Sequence, residues 1–408
     1  MNSAPLSEPV VADEPHRNFQ KRNAWWFVPL LAFLFSRLLL FIALEIGADA
    51  WKYNFQPGQW TMDNVPVCID GLCRYDAGWY TGIIDGGYFY KSDDCSSVSF
   101  FPVFPMTMKA VDAVLDVPYS AHAYLYIISN SLFFFGALLI LYRLAQALGA
   151  DEKASALAVL LVAFQPATLF FSAPYTESMF LLFTTGSLLA ALKKRWALAG
   201  LLGMTASATR NLGVFLAPAV GLMWLAEYGV DWRVFISFKA LKDAFRVLFK
   251  DWSWLWVLVI PMGLVLFMLF LHFHFGHALA FVESQKFWGH PVVGFWHILA
   301  DRIGAFFSGE MLWLDYMEFF SAVLFLVLGV AAWVRFGAGI GVFCLCLVLI
   351  PLSATTMSMV RYISVISPSF VALAVLLQRW RAGGVVLGLF AGLSALFIVL
   401  FSHWCFVG

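Results

Sequence analysis

A carboxylate among aromatic side chains is the most chemically suggestive feature of the sequence. Asp76 follows Tyr75 and precedes Trp79 and Tyr80, in a stretch that repeats its apolar residues at helical spacing as far as Gly86. Aromatic rings stack on sugars, and a partly desolvated carboxylate can take a proton from a hydroxyl. The alternative is that Asp76 caps this helix by accepting its N–H groups, and the two roles are compatible.

A second acidic side chain, Glu177, lies where one long apolar run ends and the next begins, after Tyr175 and Thr176. Ionisable groups at such a boundary tend to line functional cavities. We therefore expect Tyr175 and Glu177 to contact substrate. The alternative is that Thr176 or Glu177 serves the N-terminal dipole of the next helix.

Three arginines stand in or beside apolar segments. Arg210, which precedes Asn211, and Arg361 lie at the ends of such segments, whereas Arg37 lies inside the first one. A guanidinium group matches the geometry of a lipid-carrier phosphate. The structural alternative is snorkelling or an ion pair. We expect Arg210, Asn211 and Arg361 to bind substrate and Arg37 to pair with another helix.

The segment 283–291 mixes amide, aromatic and imidazole groups, and we expect Gln285 and Trp288 to contact substrate. His290 is interpreted as an ordinary surface histidine. No spacing of His, Cys, Asp and Glu matches a metal site, and no glycine-rich nucleotide pattern stands in a suitable context. We therefore expect no required cofactor, with weak binding of a divalent metal to the acidic first loop left open.

That first loop, residues 47–120, carries more acidic than basic residues, and we expect most of its charges, Arg74 included, to face solvent. Cys68, Cys73 and Cys95 share the loop. One disulfide with one thiol left over is compatible with this number, but the sequence does not decide the pairing.

Composition determines which elements must position these side chains. The chain has 408 residues, of which 62% are hydrophobic and only 12% are charged, with a mean hydropathy of +0.82. Soluble domains carry about 25% charged residues, so a soluble fold is excluded. The net charge is zero and no long basic run occurs, which argues against a nucleic-acid partner. Lipids are the expected partners.

Runs of about 20 apolar residues cross a bilayer as helices, and we count about eleven crossings. The apolar runs are Ala24–Ile46, Ala123–Leu144, Ala154–Ser172, Ser178–Leu192, Leu198–Ala208, Leu212–Ala226, Trp254–Phe275, Phe319–Val334, Gly337–Leu352, Ile363–Leu377 and Gly384–Phe401. The first run is a signal anchor rather than a cleaved signal peptide. Between Thr205 and Asn211 we expect the chain to turn inside the protein or at a water-filled cavity.

The distribution of lysine and arginine predicts the orientation. Basic clusters recur at alternate ends of the apolar runs, which makes residues 1–23 a cytoplasmic tail and residues 24–408 one membrane domain. The loops 47–120 and 277–318 then lie on the external side, with the candidate site residues. We expect Phe235–Phe249 to form a basic amphipathic helix on the cytoplasmic surface and Asp76–Gly86 to form an external surface helix.

The order of several short motifs resembles one family. The motifs are Arg-Tyr-Asp-Ala-Gly-Trp-Tyr (74–80), Gly-Gly-Tyr (86–88), Phe-Phe-Pro-Val-Phe-Pro (100–105), Tyr-Thr-Glu-Ser (175–178) and Thr-Arg-Asn-Leu-Gly (209–213). Together they resemble the PIG-V mannosyltransferases, which belong to the GT-C class of polytopic enzymes. Tyr75 departs from the pattern, since members usually have Trp before the aspartate, and the short loops are similar to those of prokaryotic members.

The resemblance implies a GT-C-like helical bundle and an inverting transfer of mannose, or a similar hexose, from a polyprenyl- or dolichyl-phosphate donor. Asp76 occupies the position of the essential acidic residue in the first external loop, where it would act as general base. The acceptor hydroxyl would belong to a glycolipid, a glycan or a protein. The expected location is the bacterial inner membrane with an external site, or else the endoplasmic reticulum with a lumenal site.

Two other classes of membrane protein remain as alternatives. A transporter or flippase would also be polytopic, but such proteins usually show two related halves and no internal repeat is visible here. A non-catalytic subunit of a glycosylation complex would share the composition and the loops. Activity of the purified protein distinguishes an enzyme from both.

Overall fold

The computed structural model describes residues 14–50, 65–230, 232–235, 237–288 and 293–408. Within these residues every regular element is helical. The α-helices are α1 (Glu14–Ala50), α2 (Val67–Asp70), α3 (Asp76–Gly86), α4 (Val103–Leu115), α5 (His122–Ala147), α6 (Glu152–Phe164), α7 (Glu177–Leu192), α8 (Trp196–Thr209), α9 (Leu216–Ala226), α10 (Phe238–Leu248), α11 (Leu255–Val259), α12 (Met262–Phe275), α13 (Ala280–Ser284), α14 (Phe295–Ser308), α15 (Trp313–Phe336), α16 (Ala338–Leu352), α17 (Met359–Ile363), α18 (Ser367–Arg379) and α19 (Gly383–Ser402). The expected all-α polytopic class is confirmed.

Four helices of the described residues are long and apolar enough to cross a membrane: Asn23–Ala50 in α1, Tyr119–Ala147 including α5, all of α15 and all of α19. A fifth candidate is the pair Trp252–Val259 and Met262–Phe275, which bends by 45° at its break. The expected count of about eleven is not confirmed. Several of the apolar runs form helices of only 10–17 residues, such as α16, which are shorter than a full crossing.

Breaks in the apolar runs fall at residues that oppose a continuous helix. The run predicted over Ala154–Ser172 stops being α-helical at Phe164, because Pro166 opens a 3-10 segment that extends to Phe171. The predicted turn between Thr205 and Asn211 is confirmed, since α8 ends at Thr209 and a 3-10 turn follows from Asn211 to Phe215. The second break places Arg210 between α8 and the 3-10 turn.

Glycines let α8 pack tightly against the bent pair. A β-carbon added at Gly263 would collide with the carbonyl oxygen of Met204, and one at Gly200 would collide with the carbonyl oxygen of Trp256. Small residues allow such close backbone approach between helices in a membrane, where van der Waals packing favours association. The packing fixes the end of α8 and therefore the position of Arg210, which follows it.

The two predicted amphipathic helices form, with one difference. Helix α10 lies within the predicted range, and Ser237 caps it by accepting from the N–H of Ala240. Helix α3 has the predicted bounds, but Ala77, Ile83 and Ile84 are buried. It therefore packs into the protein rather than lying free on a surface, because its apolar face meets α4.

The domain limits at residues 1–23 and 24–408, and the external loops 47–120 and 277–318, stay predictions. Parts of these segments, together with His290, lie outside the described residues.

Candidate active site

One cavity of about 690 Å³ gathers most of the sequence-predicted site residues. It lies between α3, the start of α7, the break after α8, the segment around α13, the end of α16, and α17. The predicted residues that line it are Asp76, Tyr80, Tyr175, Glu177, Arg210, Asn211, Gln285, Trp288 and Arg361. Residues from distant parts of the chain thus share one site.

A strained turn presents Asp76 to the cavity. Tyr75 has a φ of +54°, in the left-handed region that costs a non-glycine residue about 1–3 kcal/mol. The hydroxyl of Tyr175 stabilises the turn from both sides, since it accepts from the N–H of Asp76 at 3.2 Å and donates to the carbonyl of Arg74 at 2.9 Å. Helix α3 then begins at Asp76 itself.

The capping role considered for Asp76 is wrong. The N-cap position belongs to Tyr75, and no side-chain capping bond forms there. The Oδ2 atom of Asp76 instead accepts from Nη1 of Arg361 at 2.8 Å, and Asp76 lines the cavity. The carboxylate is therefore directed to the cavity.

Four charged side chains form what we call the charge quartet: Asp76, Glu177, Arg210 and Arg361. Nη1 of Arg210 lies 2.6 Å from Oε1 of Glu177, and Nε of Arg361 lies 3.5 Å from the same oxygen. Two carboxylates and two guanidinium groups sum to zero charge. Glu177 is only 1% exposed and Arg361 only 8%, so these two members are largely desolvated, whereas the side chain of Asp76 is 25% exposed.

The quartet leaves one buried acceptor open. Oε2 of Glu177 has no hydrogen-bond partner within the part of the chain that the structure describes. Burial by itself would lower the pKa of Arg361, but the charges of Asp76 and Glu177 outweigh it and hold that pKa well above its usual value. Arg361 therefore stays positive, and a buried carboxylate oxygen of a cavity-lining residue has no donor among the described residues.

An aromatic wall stands beside the quartet. Trp79 stacks on Phe100 with ring centroids 5.6 Å apart, and Trp288 meets Trp79 edge-on at 4.9 Å. Tyr80 packs edge-on against Phe100 and Phe104. Burial and the neighbouring carboxylates, that of Glu177 first, raise the pKa of Tyr80, so its phenol stays neutral.

Two predicted residues are not among those that line the cavity. Trp79 lies behind Phe100 and Trp288 and supports the wall. The ring of Tyr75 faces Phe401, Trp404 and Phe406 near the C-terminal end.

The expectation that Arg74 is solvated is wrong. It is fully buried, pairs with Asp70 at 2.6 Å and packs over the ring of Trp404. Arg74 is buried because α2 and the end of α19 enclose it, and its Nη1 atom pairs with the carboxylate of Asp70 at the end of α2. Arg74 supports the turn at Tyr75 rather than the cavity.

Sequence reasoning missed several supporting residues. Asn130, an amide in the apolar α5, donates to the carbonyl of Tyr175 at 2.9 Å and also to that of Ala173. Arg37, by contrast, contacts another helical segment as predicted, since it donates to the hydroxyls of Thr168 and Ser172 rather than to a carboxylate. Glu318 was likewise overlooked, although an acid near the start of an apolar span is itself a signal.

No disulfide joins the three cysteines of the first loop, which are free thiols in the structure. Among the described residues, no group of three or more His, Cys, Asp and Glu side chains is placed to hold a metal ion.

Known proteins resemble the chain in both sequence and structure. It is 29% identical over 130 residues to "GPI mannosyltransferase 2" of Drosophila pseudoobscura pseudoobscura, covering 30% of this chain and 28% of that protein. It is 29% identical over 175 residues to "GPI mannosyltransferase pigv-1" of Caenorhabditis elegans, covering 37% of this chain and 25% of that protein. The matched stretches are thus less than a third of each relative's length.

Solved structures of the Archaeoglobus fulgidus oligosaccharyltransferase show a distant likeness. The apo form gives a TM-score of 0.46 at 12% identity, covering 93% of this chain and 56% of that one. The form in complex with an inhibitory peptide and a dolichol-phosphate gives 0.41 at 13% identity, covering 92% and 56%.

The profile of the family described as "Mannosyltransferase (PIG-V)" matches residues 57–295, which is more than half of the chain. This match confirms the resemblance inferred from the motifs and places the chain among glycosyltransferases. It includes Asp76, Glu177 and Arg210 but ends before Arg361. The chain belongs to the Mannosyltransferase (PIG-V) family.

Proposed function

We propose that this membrane protein transfers mannose from a lipid-phosphate carrier to an acceptor hydroxyl, with Asp76 as the general base. The observation that carries the proposal is one cavity that combines an accessible carboxylate, two guanidinium groups and an aromatic wall. We place this cavity on the external face, which corresponds to the periplasm for a bacterial inner membrane and to the lumen for the endoplasmic reticulum.

The donor phosphate binds the arginines of the quartet by replacing one of their carboxylate partners. Arg361 already bonds Asp76, and an incoming phosphate offers the same guanidinium a second anionic partner. When Arg361 turns to the phosphate, Asp76 loses the positive hydrogen-bond donor that stabilises its charged form. Its Oδ2 atom is then free to accept a hydrogen bond from the acceptor hydroxyl, so donor binding prepares the site for the acceptor.

Proton transfer and bond exchange follow together. The acceptor O–H gives its proton to Asp76, and the oxygen attacks the anomeric carbon from the face opposite the phosphate. The bond between that carbon and the phosphate oxygen breaks, and its electron pair leaves with the phosphate. The product has inverted configuration, and the lipid phosphate departs as an anion without a general acid or any cofactor.

The sugar is held by the remaining lining residues. Oε2 of Glu177 is a buried acceptor for a sugar hydroxyl, and the Nε1 atom of Trp288 is a buried donor without a partner among the described residues. Asn211 and Gln285 add amide groups, and Tyr80 adds an aromatic face. Each unsatisfied buried polar group costs about 1–3 kcal/mol, which a bound sugar would recover.

The test is to incubate membranes containing the protein with radiolabelled polyprenyl-phosphate mannose and separate lipid, glycan and protein fractions. We expect label in a new product, whose fraction gives the acceptor class. A protein that moves the donor across liposomes without forming a product would be a flippase. Purified protein that forms no product and moves no donor would contradict the proposal if it also adds no transfer activity to that of a membrane extract. The role of a non-catalytic subunit would then remain.

A further inference from the structure

A buried carboxylate outside the cavity is bonded to the element that carries Arg361. Glu318 lies near the start of α15 and is only 4% exposed. Its Oε2 atom accepts from the N–H of Val360 at 2.7 Å. A carboxylate near hydrocarbon is costly to desolvate and is retained where it has a defined partner. In this case the partner is backbone rather than a basic side chain.

Helix α17 needs that acceptor. It has five residues, Met359–Ile363, and its N-cap residue Ser358 takes a left-handed φ of +67° without forming a side-chain capping bond. The first N–H groups of a helix have no partner inside the helix. Glu318 supplies one from a neighbouring element, and so fixes both the start and the rotation of α17.

The rotation of α17 determines where Arg361 reaches. Arg361 follows Val360 directly, and its guanidinium lies 2.8 Å from Oδ2 of Asp76 and 3.5 Å from Oε1 of Glu177. If the N–H of Val360 lost its acceptor, α17 would be free to turn or fray, and the guanidinium would leave both carboxylates. A displacement of about 1 Å in such a group can cost about 100-fold in rate.

We propose that Glu318 is a positioning residue for the transfer reaction, holding α17 so that Arg361 sits between Asp76 and Glu177. This proposal rests on the proposed function for its activity readout. Glu318 does not touch the cavity and acts through the backbone of Val360. Its hydrogen-bond acceptor, rather than its charge, is the feature that matters.

Two substitutions separate these features. Glu318→Gln keeps a side-chain oxygen that can accept from Val360, whereas Glu318→Leu removes it. We expect the Leu variant to lose about 10- to 100-fold in transfer rate and the Gln variant to retain most of it. Thr185→Val is the matched control, because it removes another buried side-chain bond, at 2.9 Å to Ser367, away from the cavity. It should melt lower yet transfer normally.

A second measurement does not depend on the reaction. The melting temperature is measured for three variants: Asp76→Asn, Arg361→Gln and the double variant. The difference between the shift of the double variant and the sum of the two single shifts reports the coupling between these side chains. We expect the melting-temperature shifts to be clearly non-additive when Glu318 is present. The non-additivity should be similar in the Glu318→Gln background and much smaller in the Glu318→Leu background. Thr185→Val should leave the non-additivity intact.

The outcomes distinguish the two proposals. If no variant or wild type transfers mannose but Glu318→Leu still abolishes the non-additive shift, the positioning role stands and the proposed function fails. Transfer rates for Glu318→Leu equal to those of Thr185→Val would overturn the positioning role. The positioning role would also be overturned if the Leu variant fails to fold while the Gln variant folds but is as inactive as Arg361→Gln. In that case the hydrogen-bond acceptor retained by Gln would not preserve activity.

Discussion

Replacing Arg361 by Gln tests the proposed contact with the donor phosphate. In the structure the guanidinium of Arg361 bonds Asp76 at 2.8 Å and lies 3.5 Å from Glu177. A hydrogen bond to a charged group contributes about 1.5–3 kcal/mol. Because wild-type Arg361 exchanges one anionic partner for another when donor binds, the net gain lies near the low end of that range. About 1.5 kcal/mol, or slightly more than tenfold weaker binding, is therefore expected for Arg361→Gln.

The same substitution lowers stability by an amount that the neighbouring charges limit. Glu177 keeps its bond to Arg210, and the side chain of Asp76 is 25% exposed and can be hydrated. The free energy of unfolding should thus fall by about 2–3 kcal/mol, which is less than the 3–5 kcal/mol typical when a buried charge loses its partner. Arg361→Lys should recover part of both losses, since it keeps the charge but not the planar fork.

The assay is thermal melting of purified protein in detergent, titrated with polyprenyl phosphate, which requires no acceptor. Arg302→Gln is the control. Arg302 pairs with Asp315 at 2.9 Å on the protein surface, with both side chains about one-third exposed, and such pairs contribute about 0–1 kcal/mol. Arg361→Gln that binds polyprenyl phosphate like the wild type but melts lower would refute the reasoning. Arg361 would then be a structural ion-pair residue, and the exposed Lys286 at the cavity would become the candidate for the phosphate.

Three further predictions concern the turn, the topology and a helix cap. Tyr175→Phe removes the hydroxyl that bonds the N–H of Asp76, so the transfer rate should fall about tenfold with unchanged polyprenyl-phosphate binding; equal loss of binding would contradict this. In a background lacking the exposed native cysteines, an impermeant maleimide should label Gln285→Cys from the external side and Lys194→Cys only from the cytoplasm, and the reverse would overturn the topology. Asp151→Ala should lower the free energy of unfolding by about 1 kcal/mol at neutral pH. Its carboxyl has a lowered pKa because it accepts from a backbone N–H, so this contribution is present above about pH 4 and disappears as the pH falls; a difference that persists at low pH would contradict the cap.

The parts of the fold that the sequence predicts are those governed by local patterns. The first span, the amphipathic α10 and both ends of α3 follow from apolar periodicity and from the stop at Gly86. The number of crossings does not follow, because Pro166 and the segment from Thr209 to Asn211 break apolar runs into short helices. Whether a short apolar helix spans or only packs depends on its neighbours.

The sequence predicts most of the candidate residues that line the cavity, but it does not predict their arrangement. Charged residues beside apolar runs, such as Glu177 and Arg361, stand out in the sequence because desolvation makes them costly. Their pairing into a neutral quartet depends on the packing of helices far apart in the chain. The left-handed turn at Tyr75 and the C-terminal rings around it give no local signal either, since no glycine marks the turn.

The most direct test of the central claim compares Asp76→Asn with wild type in the transfer of radiolabelled mannose from its polyprenyl phosphate. Asparagine keeps the size of the side chain and can still interact with Arg361, but it cannot accept the acceptor's proton. We predict that the variant inserts, melts close to wild type and binds polyprenyl phosphate at least as well, while transfer falls by about 100-fold or more. Transfer by Asp76→Asn at a rate comparable with wild type would show that this carboxylate is not the base.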